Sequence, residues 1–198
     1  MTSLSLREQH AMATRERILG AVADLLERGG AEDVTVPAVA EASGVSLRTI
    51  YRYYPTREEL LEAAGRWIGD ELLKHPYPRD LDDIADVYQK GARDFDERPG
   101  LVRALGFSHL GRHVRGYRRR ERLDAINRSL RAELRDLSEP ELRKAEAVLA
   151  YLHNMLAYST LREENGLSGE EIGEAIGWAI RTLVADLRKR NRNLRRDK

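Results

Sequence analysis

The chain has 198 residues, 41% hydrophobic, 34% charged and 6% aromatic, with Lys+Arg 34 against Asp+Glu 33 and a formal net charge of +1. That apolar share excludes a wholly disordered chain, and the charge balance excludes a polycation, so any attraction for nucleic acid must come from local charge. With no cysteine there is no disulfide scaffold, thiol nucleophile or Cys-ligated zinc. Met1 to Ala13 lacks the apolar run of a signal peptide, and no stretch reaches the about eighteen apolar residues of a membrane span. A soluble, cytoplasmic protein with no membrane partner is expected.

The apolar periodicity predicts helices throughout. Ile18, Ala21, Val22, Leu25 and Leu26 form one stripe of a helix over Thr14 to Arg28, stopped by Gly29-Gly30. Thr35 is the expected N-cap of a short second helix, with Val34 and Val39 spaced as a hydrophobic staple, and Gly44 ends it. Ser46 caps a third helix, with Val45 and Ile50 repeating the staple. Pro55 keeps that helix short. Thr56 with Glu59 is a capping box for a fourth helix, its buried face including Leu60, Ala64, Trp67, Ile68 and Leu72.

The prolines of Lys74 to Arg79 mark a boundary between two regions. Beyond it, Leu81, Ile84, Ala85, Tyr88, Ala92 and Phe95 share a helical face closed by Pro99-Gly100. A shorter segment follows from Leu101 to about Leu110. Leu123, Ile126, Leu130, Leu134 and Leu137 predict another long helix, and Ser138 with Glu141 and Ser168 with Glu171 open the last two. From Ala147 to Tyr158 apolar residues cover most of the circumference. Glu170 to Leu187 carries Ile172, Ile176, Ile180, Leu183, Val184 and Leu187, and Gly173 and Gly177 one turn apart would allow close backbone approach. Helices apolar on more than one face are buried on more than one face, and a second copy of the chain is the simplest cover. The fold class expected is all-α.

Residues 35 to 53 read as a helix-turn-helix. Projected at 100° per residue, Leu47, Ile50, Tyr53 and Tyr54 fall on one side of the second helix and Arg48, Thr49, Tyr51 and Arg52 on the other. Ala42 to Arg57 contains three arginines and no acid. Charge is sorted onto a face suited to phosphate.

Thr14 to Ala64 resembles the amino-terminal domain of the TetR family, the tetracycline-repressor-type regulators of bacteria. The resemblance rests on Arg17-Ile18-Leu19, Leu25 to Gly30, Val34-Thr35-Val36, Ala38-Val39-Ala40, Ser43-Gly44-Val45-Ser46, Thr49-Ile50-Tyr51-Arg52-Tyr53-Tyr54 and Pro55-Thr56-Arg57-Glu58-Glu59-Leu60. It implies a three-helix helix-turn-helix DNA-binding domain at 1–55, a connecting helix at about 56–73, and a helical ligand-binding and dimerisation domain at 74–198. It also implies a homodimer joined through the last two long helices, a palindromic double-stranded operator, and an unidentified small-molecule effector that releases a repressor.

Residue by residue, the resemblance places Ser46 to Tyr53 in the major groove. Leu47, Arg48, Thr49 and Tyr51 stand at positions that reach base edges or the adjoining backbone. A guanidinium at Arg48 suits guanine O6 and N7, and Leu47 suits a thymine methyl. Thr35, Tyr51, Tyr53 and Arg57 match phosphate contacts, and Arg52 is either a further one or solvated. Pro37 stands where many members carry a base-reading side chain, and Tyr54 where Phe is usual.

For the effector, Phe95, Phe107, His109, Met155, Tyr158 and Trp178 combine apolar bulk with polar handles, and ordinary core packing is the competing reading. Arg112 to Arg122 holds six arginines and one glutamate, and the tail from Arg188 to Lys198 seven basic residues and one acid. Both suit a solvated surface; the alternatives are an anionic ligand or a second DNA-facing patch for the first, and weak nonspecific attraction for DNA for the tail. His109 and His113 are spaced i, i+4 without an accompanying HExxH pattern, so no metal or other cofactor is expected. GxSxG, P-loop and GxGxxG patterns are absent, and no catalytic residue or enzyme activity is expected. The rival readings are a ligand-binding protein of the same fold without DNA binding, and a small helical enzyme or metal-binding protein.

Overall fold

The computed structural model describes residues 5–30, 33–72, 76–107 and 109–196, with the side chains of 72 and 107–118 left aside. Within the described residues the chain is helical without strands: α1 (Leu6–Gly29), α2 (Val36–Ser43), α3 (Leu47–Tyr53), α4 (Arg57–Leu72), α5 (Asp83–Glu97), α6 (Pro99–Phe107), α7 (His109–Glu133), α8 (Glu139–Leu152), α9 (Met155–Asn165) and α10 (Gly169–Arg196). The chain forms two compact units, one of residues 1–71 and 98–117, the other of 72–97 and 118–198.

In the first unit, Ile18, Val22 and Leu26 of α1 are buried with Val34, Val39, Ile50, Leu60, Ala64 and Ile68. α1 begins at Leu6, two turns before the apolar stripe that predicted a start at Thr14. The cause is a capping box: Ser5 N–H donates to Glu8 Oε2 at 2.8 Å and Glu8 N–H to Ser5 Oγ at 3.3 Å. Gly30, at φ 95°, ends the helix. α6 packs on α1, and Arg98 fastens the contact with 2.7 Å bonds to Asp24 and Glu27. A Cβ on Gly100 would lie 2.8 Å from the Glu27 carbonyl oxygen, so this approach needs glycine. Trp67, expected on the buried face of α4, is only half-buried.

In the second unit, α5 and α10 share the most extensive contact. Gly173 and Gly177 make it possible, as the sequence suggested for backbone approach. Their absent Cβ atoms would lie 3.3 Å from Gln89 Cα and 2.8 Å from Gln89 Nε2. The Asp96 carboxylate at the end of α5 accepts from the Tyr158 hydroxyl at 2.8 Å and Gly169 N–H at 2.6 Å, and pairs with Arg162. Arg188 of α10 joins Asp82 at 2.8 Å and also pairs with Glu133.

Three further boundaries differ from those expected. The segment from Leu101 starts at Pro99, where a proline at the first helical position costs no hydrogen bond. The helix expected to reach Leu137 ends at Glu133, although Leu134 and Leu137 are still buried. The apolar run from Ala147 to Tyr158 is broken. α8 closes with His153 N–H on Leu149 O at 2.8 Å, and Asn154 caps α9 by accepting from Leu156 N–H at 3.2 Å. An asparagine side chain competes for backbone donors and so favours a cap over a helix interior.

Candidate nucleic-acid interface

Local capping builds the helix-turn-helix. Thr35 Oγ1 accepts from Ala38 N–H at 3.3 Å, starting α2. Gly44, at φ 63°, ends α2 in the left-handed region that favours glycine. The guanidinium of Arg17 on α1 donates to Ser43 O at 2.6 Å, clasping the turn from outside. Ser46 Oγ then accepts from Thr49 N–H at 3.3 Å and lies 2.9 Å from Thr49 Oγ1, so both hydroxyls hold the start of α3.

Once α3 is seated by the fully buried Ile50, Leu47 is 43% and Tyr51 48% exposed, and Arg48 and Arg52 also face solvent. Leu47 had been projected onto the inner side; at the first position of a short helix, it escapes cover. Thr49 is half-buried. The exposed face of α3 therefore presents two cations, a phenol and an aliphatic group with no acid among them. Among the described residues no carboxylate lies within ion-pair distance of Arg48 or Arg52.

Tyr53 is half-buried, and the guanidinium carbons of Arg15 and Arg52 each lie 5.3 Å from its ring centre. Arg15 escaped the sequence reading because it lies on α1, far from the motif. Its one signal is its helical register, one turn before Ile18 and Leu19. Tyr54 is buried beside it, which raises its hydroxyl pKa, with the charges of Arg15 and Arg66 opposing. Arg57 is half-buried and donates from Nε to Val34 O at 2.9 Å, tying α4 to the segment before α2.

In the second unit, Phe95 and Tyr158 meet with ring centres 5.2 Å apart, and Met155 is buried. Trp178 does not join them; it is 69% exposed on α10. The side chains of Phe107 and His109 lie outside the described residues, as do those of His113 and of residues 112–118 in the arginine-rich run.

The contact of Tyr88 with His153 was missed by the sequence reading. Tyr88 and His153 meet edge to face at 5.6 Å, and the Tyr88 hydroxyl, His153 Nε2 and Ser159 Oγ are buried with no hydrogen-bond partner among the described residues. Burial first, then the charge of Arg122, lowers the His153 pKa to about 4, a hydrogen bond with its own backbone opposing; burial likewise raises that of Tyr88. The apolar run across His153 concealed the break that aims this ring inward. Among the described residues no cluster of three metal-ligating side chains occurs, and no helix is long and apolar enough to cross a membrane.

A cationic recognition helix on a capped turn defines a helix-turn-helix regulator. Residues 18–64 match the family described as bacterial regulatory proteins, tetR family. The chain is 31% identical over 142 residues to the nucleoid occlusion factor SlmA of Vibrio campbellii, covering 67% of this chain and 71% of that protein. It is 25% identical over 185 residues to the HTH-type transcriptional repressor KstR of Mycobacterium tuberculosis, covering 87% and 81%. Among solved structures, a tetR-family transcriptional regulator from Streptomyces coelicolor superposes with TM-score 0.61 at 21% identity, covering 92% of this chain and 89% of that one. NalD from Pseudomonas aeruginosa does so with TM-score 0.64 at 16% identity, covering 85% and 96%. The chain belongs to the TetR family and is a DNA-binding transcriptional regulator.

Proposed function

We propose that the protein is a homodimeric, cytoplasmic repressor that holds a palindromic operator through two copies of α3 and lets go when a small molecule binds its second region. The acid-free, solvent-facing side of α3 carries this reading. Arg48 reads guanine, Leu47 meets a thymine methyl, and Tyr51 and Arg52 meet the adjoining backbone. Ser46 and Thr49 fix the start of the helix. Thr35 brings a hydroxyl and a helix N-terminus to a phosphate. Tyr53 and Arg57 border the same surface, Arg57 chiefly bracing it.

The DNA-binding domain spans 1–55, with α4 connecting, and ligand binding and dimerisation belong to 74–198. Val148 and Tyr151 on α8 and Trp178 on α10 are large apolar side chains left in solvent, which supports pairing of these helices with a partner's. Trp178 thus serves the dimer better than the effector, whose lining is better drawn from Phe95, Met155, Tyr158 and the pair of Tyr88 and His153. Two recognition helices must sit about 34–36 Å apart to fit successive turns of DNA, so effector binding needs to change that spacing only slightly.

Duplex binding measured against salt tests the proposal. A dimer neutralising about 6–10 phosphates loses about 10³–10⁵ in affinity between 50 and 200 mM salt. A flat dependence would support instead a ligand-binding protein that keeps the fold without holding DNA.

A further inference from the structure

At the break between α8 and α9 the backbone meets its needs locally: His153 N–H donates to Leu149 O at 2.8 Å, Ala157 N–H to Asn154 O at 3.1 Å, and Leu156 N–H to Asn154 Oδ1 at 3.2 Å. The side chains there divide. The Tyr158 hydroxyl donates to Asp96 at 2.8 Å, whereas His153 Nε2 is closed to solvent and has no partner among the described residues. The Tyr88 hydroxyl is in the same position, on a side chain only 4% exposed whose ring meets the imidazole edge to face. The two groups lie in contact and do not satisfy each other, a cost that a third group bonding to both would recover. Apolar and aromatic side chains accompany them: Phe95 on the same buried face of α5, and Met155 and Tyr158 in the first turn of α9.

The chemistry of the two groups selects what can bond to both. The hydrogen bond of His153 with its own backbone favours the charged ring, so the ring donates it, from Nδ1, and Nε2 keeps its lone pair. Burial and the charge of Arg122 hold that ring neutral at pH 7. Nε2 is therefore an acceptor, which welcomes a donor and repels the lone pairs of a carboxylate or an ether. The phenol of Tyr88 gives or takes a hydrogen bond. We propose that Tyr88 and His153 anchor the effector, and that the effector is an uncharged, mainly apolar molecule with a hydroxyl that donates to His153 Nε2 and accepts from Tyr88. The proposal rests on the reading of the second region as effector-binding and adds the chemical class of the ligand. Phe95, Met155 and Tyr158 take its apolar body.

The test uses the full chain at pH 7.5 and two alcohols, 1-octanol and 4-butylphenol, each beside its methyl ether and a carboxylate of similar length, octanoate and 4-butylbenzoate. At least one alcohol should bind, and its ether should bind at least about 5-fold more weakly, because the ether leaves Nε2 buried without a donor. Binding of the alcohol should shift the nitrogen-15 resonance of His153 Nε2, a response that packing alone does not produce. Tyr88→Phe and His153→Phe should each weaken the alcohol by about 2–12-fold and leave the ether unchanged. The alcohol–ether comparison is made on the parent, so it stands even where His153→Phe fails to fold. Failure of both alcohols to bind, or binding of an ether or carboxylate as tight as that of its alcohol, overturns the proposal, as does an unmoved His153 resonance. A duplex selected from a random pool separates this from the wider reading. An alcohol that binds through Tyr88 and His153 yet leaves duplex affinity unchanged upholds the site and refutes release by an effector, and a parent that holds no duplex refutes the operator reading.

Discussion

Protonation of His153 should set the acid sensitivity of this protein. Its ring lies edge to face with Tyr88 at the end of α8, Nε2 is closed to solvent, and burial beside Arg122 brings its pKa from 6.5 to about 4. The folded value is below the unfolded one, so the unfolded chain binds the extra proton first. Stability is therefore intact above pH 6.5 and is lost as pH falls toward 4. The full effect of that shift is about 3 kcal/mol at about 1.36 kcal/mol per unit, and about 2 kcal/mol of it is already lost at pH 5. Asp82, Glu139, Glu141 and Glu171, whose pKa values are lowered by hydrogen bonds from Arg188, Arg131, Ser138 and Ser168, lose their contributions only below their ordinary values of 3.8 and 4.5. Urea unfolding at pH 7.5 and pH 5, run on the parent and on His153→Gln, isolates the histidine. The parent should lose about 2 kcal/mol more than the variant between the two conditions. Equal losses would mean that His153 is solvated or already paired, and would refute the reasoning.

Other perturbations have equally definite outcomes. Gly169→Ala would place a Cβ 2.3 Å from the Ala92 carbonyl oxygen, so α5 and α10 must separate; a cost of about 1–3 kcal/mol should appear as a lower melting temperature. Tyr88→Phe removes a buried hydroxyl that has no partner among the described residues, and should raise the stability of the ligand-free protein by about 1 kcal/mol in urea unfolding; a loss would show that the hydroxyl is satisfied. Arg48→Ala should cost about 1–3 kcal/mol per half-site and relax the preference at one base position in a binding-site selection. Trp178→Glu puts a charge into the apolar surface of α10 and should shift sedimentation toward the monomer, leaving the helical content unchanged.

Where a structural decision is made within a few residues, the sequence was readable. Thr35 and Ser46 cap their helices as expected because a side-chain oxygen reaching a backbone N–H three residues on is a local event, and so is the reach of the Glu141 carboxylate back to Ser138 N–H. Ser5 obeys the same rule, yet the apolar stripe began too late to draw attention to it. Asn154 shows the opposite limit: its capping preference competes with an unbroken apolar pattern, and only packing decides the contest. For the site, the outer face of α3 was legible from its projection, except that Leu47 was placed inside. Arg15 was not, because its approach to Tyr53 depends on how α1 packs against the motif. The exposure of Trp178 was not legible for a related reason: its bulk suggests a core, but among the described residues its side of α10 has little cover.

The single carboxylate of Asp96 serves Tyr158, Arg162 and the first amide of α10 at once. Glutamate would overshoot by a methylene, and asparagine would turn a donor toward a guanidinium. Divergent descendants of this chain should therefore retain these side chains as a set or exchange them as a set, a covariation that sequencing of such descendants would reveal.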